Sequence, residues 1–132
     1  MNTDRFRRED VEFIPTRRDD GVLYVTEAHA TAVHNCACGC GMKVVTPLSP
    51  ARWTITDGKA GPSLAPSVGN WQLPCKSHYW IRDGQVRWST RWTDEQIRRG
   101  AAADRRAVEA EYRQLPLITR VTQTLRKWFR RR

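Results

Sequence analysis

Carboxylates are scarce where this 132-residue chain carries most of its folding signal. Between Gly21 and Ser89 the only acids are Glu27, Asp57 and Asp83, and the last two stand in turn-forming Asp-Gly dipeptides. A catalytic zinc needs an open coordination position and a nearby carboxylate or histidine as base, so that chemistry is short of residues. The deaminase spacing fails as well, because His34-Asn35-Cys36 lacks the glutamate and Pro74-Cys75-Lys76-Ser77-His78 ends in histidine. Long apolar runs are missing too. The uncharged stretches are broken by Ser, Thr, Gly and Pro, far short of the roughly 18 apolar residues that span a membrane. Met1-Asn2-Thr3-Asp4-Arg5 lacks a signal peptide's apolar run, so a cytoplasmic setting is expected. There is no internal repeat, low-complexity tract, or flavin or nicotinamide motif.

Cysteine is limited to four. Cys36, Cys38 and Cys40 alternate within five residues and only Cys75 remains to pair with them, so a disulfide framework fails by counting. In a reducing compartment the four are metal ligands or a redox site.

Acid is also short relative to base over the whole chain, with 23 Lys and Arg against 14 Asp and Glu, a net charge of +9. The excess is local. From Thr90 onward 12 basic residues face 5 acidic ones, a net of +7, whereas residues 1 to 89 hold 11 and 9, a net of +2. Any nucleic-acid reading therefore concerns the tail alone.

What is present reads as three regions: a charged N-terminal segment, 1–20, with an edge strand at Val11–Ile14; a β domain, 21–92; and a basic helical region, 93–132. Short β-branched and aromatic runs predict strands at Val22–Thr26, Ala32–Asn35, Met42–Leu48, Arg52–Thr56, Trp71–Leu73, His78–Arg82 and Gln85–Ser89. Asp57-Gly58 and Asp83-Gly84 mark hairpins. Gly61–Asn70, rich in Pro and Gly, reads as a loop packed across the sheet. Thr93-Asp94-Glu95-Gln96 has capping-box spacing and opens a helix from Asp94 to about Gln114. Pro116 opens a second, with Leu117, Ile118, Val121, Leu125, Trp128 and Phe129 on one face. Its Arg120, Arg126, Lys127, Arg130 and Arg131 offer a surface for a partner or an anion, nucleic acid included. The expected class is α+β: a small antiparallel, zinc-stapled sheet, Rieske-like or zinc-ribbon-like, followed by one or two helices.

The staple is read from His34-Asn35-Cys36-Ala37-Cys38-Gly39-Cys40-Gly41 and Pro74-Cys75-Lys76-Ser77-His78. Structural zinc takes four Cys or His ligands as two close pairs from two loops. Cys75 and His78 form the firmer pair, and Cys38 joins either Cys36 or Cys40 in the other, where glycines at 39 and 41 let the backbone wrap an ion. Six candidates thus compete for four positions. Alternatively, C-x-H and C-x-x-H loops ligate the two-iron two-sulfur cluster of Rieske proteins, with Cys38 here in place of the first histidine. His34 and Ser77 are read as supporting the ligands without binding the ion. A Cys36 thiolate beside His34 would be a nucleophile if the metal used the other ligands, but no residue is assigned a catalytic role.

Gly21-Val22-Leu23-Tyr24-Val25, His34-x-Cys36-x-Cys38-Gly39-Cys40-Gly41, Pro47-Leu48 before Trp53, and Pro66-Ser67-Val68-Gly69-Asn70-Trp71 leading into Cys75-x-Ser77-His78-Tyr79-Trp80-Ile81 carry a resemblance. Over about residues 21 to 89 the chain resembles a small bacterial family encoded beside multi-ubiquitin-like modifiers and activating-enzyme-like and conjugating-enzyme-like proteins. The resemblance implies a bacterial ubiquitin-like conjugation setting and metal positions at Cys36, Cys38, Cys40, Cys75 and His78. The function expected is a noncatalytic zinc-binding accessory or ligase-like adaptor whose partner is a modifier, activating-type or conjugating-type enzyme. A metal- or thiol-dependent enzyme acting on a modifier linkage, a Rieske-like electron carrier, and nucleic-acid binding through the terminal helix stand as alternatives.

Overall fold

The computed structural model describes residues 2–90 and 92–114. Eight strands and a helix follow in chain order: β1 (Arg7–Asp10), β2 (Val22–Thr26), β3 (Thr31–Asn35), β4 (Lys43–Pro47), β5 (Thr54–Gly58), β6 (Gly61–Gly69), β7 (His78–Arg82), β8 (Gln85–Trp88) and α1 (Asp94–Gln114). The strands form two four-stranded sheets, β1-β2-β3-β4 and β5-β6-β7-β8. Every pairing is antiparallel except that of β1 with β2. The β-rich class with a helix after the sheets is as expected.

One core joins the sheets. Leu23, Val25, Ala32 and Val44 of the first pack in the same cluster as Leu64, Val68, Tyr79 and Ile81 of the second, with Phe6, Cys36 and Ala37. Alternation decides which side chains enter it: in β4, Val44 and Thr46 are buried while Lys43 and Val45 face outward. The N-terminal segment is stitched to both sheets. Phe6 N–H donates to the Gly84 carbonyl and Val86 N–H to that of Asp4, before β1 turns onto β2.

Four local expectations differ from the fold. The edge strand lies at Arg7–Asp10 rather than Val11–Ile14, because a charged strand suits the outer edge beside the wholly buried β2. Gly61–Gly69 is a nine-residue strand, β6, rather than a loop. Pro66 is tolerated because the pairing with β7 shifts register between Leu64 and Val68, so it falls where the ladder is interrupted. Trp71–Leu73 belongs to turns, with Leu73 N–H donating to the Asn70 carbonyl and Lys76 N–H to that of Leu73. The Asp83-Gly84 hairpin forms with Arg82 paired to Gln85, whereas the other turn slides to Lys59-Ala60, leaving Gly58 paired with Gly61.

The capping box forms as read: Gln96 N–H donates to Thr93 Oγ1 at 3.2 Å, and Thr93 N–H to Gln96 Oε1 at 2.8 Å. α1 spans Asp94–Gln114 with none of its residues buried. The second expected helix lies outside the described residues.

Candidate metal centre and serine–histidine pair

The β3–β4 connection wraps back on itself at Cys36–Gly41. Gly39 N–H donates to the Cys36 carbonyl and Cys36 N–H to that of Met42, and Gly39 and Gly41 take φ of 86° and 78°, which an L side chain resists. Cys75 comes from the opposite sheet, on the β6–β7 connection. The four sulfurs lie within 4.8 Å of one another. Cys36 Sγ is 3.5 Å from Cys38 Sγ and 3.8 Å from Cys75 Sγ, and Cys40 Sγ is 3.9 Å from Cys75 Sγ. A tetrahedron with zinc–sulfur bonds of about 2.3 Å has edges of about 3.8 Å. The donor set therefore fits one tetrahedral ion, and the group could hold a metal.

Electrostatics inside the group are uneven. Burial pushes the Cys36 thiol up to about 12, against hydrogen bonding by Ser77. Burial also opposes ionisation of Cys38, but hydrogen bonds from Ser77, Cys40 and Cys36 outweigh it and bring this thiol down to about 6. A thiolate beside three further sulfurs is an environment that favours a cation. Ser77 Oγ donates to Cys75 Sγ at 3.0 Å and accepts from Cys36 Sγ at 3.4 Å. Asn70 was not foreseen: its Nδ2 donates to Cys36 Sγ at 3.5 Å and its N–H to the Ser77 carbonyl at 2.8 Å. His34 turns to Tyr79, with Nε2 2.7 Å from the phenolic oxygen, and burial pushes its imidazole down to about 3.

His78, expected beside Cys75 as a ligand, stands outside the sulfur group. Both of its ring nitrogens are engaged elsewhere: Nε2 is 2.9 Å from Ser67 Oγ and Nδ1 is 2.8 Å from the Thr90 carbonyl oxygen. The carbonyl can only accept, so Nδ1 carries a proton; in the neutral ring Nε2 then presents its lone pair, and Ser67 Oγ–H donates to it. The ladder explains the meeting. Gly69 pairs with His78, and Ser67, two residues earlier, shares Gly69's face, which makes Ser67 and His78 diagonal neighbours. His78 is buried and Ser67 half-buried.

A serine donating to an imidazole whose far nitrogen is fixed by a third group is the arrangement of an activated nucleophile. Here that third group is a neutral backbone carbonyl, which orients the ring without a charge. It suits a core with three carboxylates. Ser67 is not among the expected site residues, because it lies in Gly61–Asn70, whose prolines and glycines read as a loop packed across the sheet. A serine two residues before a strand glycine, with Ser77-His78 opening the next strand, was the available signal. Arg120, Arg126, Lys127, Arg130 and Arg131 lie outside the described residues.

Among the described residues, no helix is long and apolar enough to cross a membrane. Residues 10–89, more than half of the chain, match the model of a family described as the bacterial ubiquitination-like system serine protease, BubE. No curated protein and no solved structure matches. The chain belongs to the BubE family.

Proposed function

We propose that this BubE-family chain is a serine hydrolase that cleaves an acyl linkage made or carried by a ubiquitin-like modifier, and that its four cysteines hold a structural zinc. The observation that carries this is the Ser67 Oγ···His78 Nε2 contact of 2.9 Å with His78 Nδ1 anchored 2.8 Å from the Thr90 carbonyl. The family description supplies the reaction class and the setting.

Ser67 Oγ attacks the substrate carbonyl while His78 Nε2 takes its proton. As the tetrahedral intermediate collapses, the C–N bond breaks and the imidazolium returns that proton to the leaving amine. Water, deprotonated by the same nitrogen, then attacks the acyl ester, and Ser67 leaves with the proton restored. Thr90 keeps the productive tautomer throughout.

Cys36, Cys38, Cys40 and Cys75 would hold the ion, which supplies folding energy at a closed four-sulfur site. Zinc is favoured over a two-iron cluster because such a cluster spreads its ligand pairs across both irons, wider than four sulfurs that all lie within 4.8 Å. His78 is then free to act as base.

The test combines three measurements on the purified full chain: metal content with an absorption spectrum, labelling by a fluorophosphonate probe mapped by mass spectrometry, and cleavage of a ubiquitin-like modifier fused through its C-terminal tail. Colourless protein with one zinc per chain, labelled at Ser67, and a Ser67→Ala variant that keeps zinc but loses cleavage are expected. A red-brown cluster spectrum would overturn the metal reading. Cleavage that survives Ser67→Ala but fails in Cys36→Ser or Cys40→Ser would point to the thiol enzyme. A wild type that neither labels nor cleaves, yet binds the modifier, would return the function to the zinc-binding adaptor.

A further inference from the structure

The imidazole of His78 is gripped by a segment that no strand pairing holds. Ser89 N–H donates to the His78 carbonyl at 2.9 Å, and the next residue, Thr90, supplies the carbonyl that fixes Nδ1. Beyond that point an aromatic stack holds the chain. Trp92 lies on Trp71 with ring centroids 5.5 Å apart and planes at 25°. Both indoles face His78 edge-on, Trp71 at 5.0 Å and Trp92 at 5.3 Å, so the imidazole sits in a corner of two tryptophans.

Each indole is backed by a glycine. A Cβ at Gly69 of β6 would meet Trp71 Nε1 at 2.6 Å, and a Cβ at Gly100 of α1 would meet the Trp92 ring at 2.6 Å. Gly69, Trp71, Trp92 and Gly100 are therefore four layers of one stack that begins on the sheet bearing the serine and ends on the helix. Glycine within a helix is unfavourable by roughly 1 kcal/mol relative to alanine. At Gly100 it is the residue that admits Trp92. The capping box at Thr93 starts the helix immediately after Trp92 and so fixes the indole relative to Gly100, two turns on.

We infer that α1 belongs to the catalytic apparatus through Trp92, a positioning residue that clamps the Thr90 carbonyl and the His78 ring in register with Ser67. This rests on the serine-hydrolase reading. Trp92 touches no reacting atom. Its effect passes through the tautomer and orientation of His78, and displacement of a catalytic group by about 1 Å costs about 100-fold in rate.

The clamp is tested on the full chain with Trp92→Ala, Trp92→Phe and Gly100→Ala, each checked for one zinc per chain. Gly100→Ala separates catalytic positioning from helix stability, because it improves helix propensity while its methyl displaces Trp92. The expected results are a fall of about 100-fold in kcat for Trp92→Ala and about 10-fold for Gly100→Ala, with KM little changed, and recovery of most of the rate in Trp92→Phe. Side-chain ¹⁵N spectra of His78 should show the Nδ1–H tautomer in the wild type and tautomer exchange in Trp92→Ala. Wild-type rates and an unchanged tautomer in both Trp92→Ala and Gly100→Ala would overturn the clamp. If the wild-type protein is never labelled at Ser67 and cleaves nothing, the hydrolase reading fails, and the imidazole spectra alone then decide whether Trp92 positions His78.

Discussion

The sulfur group and the serine–histidine pair are built in opposite ways. The first draws Cys36, Cys38 and Cys40 from the loop after β3 in one sheet and Cys75 from the loop before β7 in the other, so it exists only where the sheets meet. The second lies within one sheet, on adjacent strands, and takes its geometry from the β6–β7 ladder. A staple across two sheets is a device for stability. A diagonal pair on a single ladder is a device for holding two atoms at a fixed separation. They touch through one loop: Asn70 and Ser77 bond to the sulfurs while Gly69 and His78, the next residues outward, close β6 and open β7, the strands that carry the pair.

The sharpest way to break this contrast is to remove each chemistry without the other. Ser67→Ala and His78→Gln should each lower cleavage by at least about 10³-fold while one zinc per chain is retained. Zinc lost on His78→Gln would move this residue back among the ligands. Next in size, removal of metal by a strong chelator should unfold the staple and silence Ser67 labelling together. Cys36→Ser, at the buried corner, should lower Tm by roughly 10 °C, and Cys40→Ser, exposed, by much less. Equal losses at the two positions would mean that burial does not grade the ligands. Gly69→Ala should cost about 2 kcal/mol in denaturant unfolding, because the methyl must displace Trp71, and its zinc content should not change. The smallest effect belongs to a polar side-chain tie between the sheets. Arg8 reaches Asp10 and Glu27 on the first sheet's side and Asp57 on β5, but those carboxylates are mostly exposed. Arg8→Ala should therefore cost under about 1 kcal/mol, shrinking further in high salt.

The same contrast accounts for what could be read in advance. Clustered cysteines announce themselves because the residue type is rare and its spacing reports the chemistry, so the sulfur group was legible down to the second loop. His78 was misplaced for a related reason: three residues from Cys75 it has ligand spacing, and spacing does not say which way a strand turns its side chains. At the start of β7, Cys75 stays on the loop while His78 enters the ladder and meets Ser67. That meeting depends on β6 being a strand at all, and its prolines and glycines hid it. Local turn and cap chemistry was read well at Asp83-Gly84 and Thr93–Gln96, where the signal lies within four residues. Thr90 had no residue-level signal, since a backbone carbonyl is common to every amino acid.

The N-terminal segment carries a consequence for how the molecule comes together. Asp4 and Phe6 bond to Val86 and Gly84, some eighty residues along the chain, before β1 joins β2. These residues leave the ribosome before the rest of the β domain, yet they have no complete partner until β8 has been made. Contacts so distant in sequence make closure slow. Until then the main-chain groups of Asp4 and Phe6 lack these partners, and the interval in which a nascent chain can pair wrongly is set by the synthesis of nearly the whole β domain.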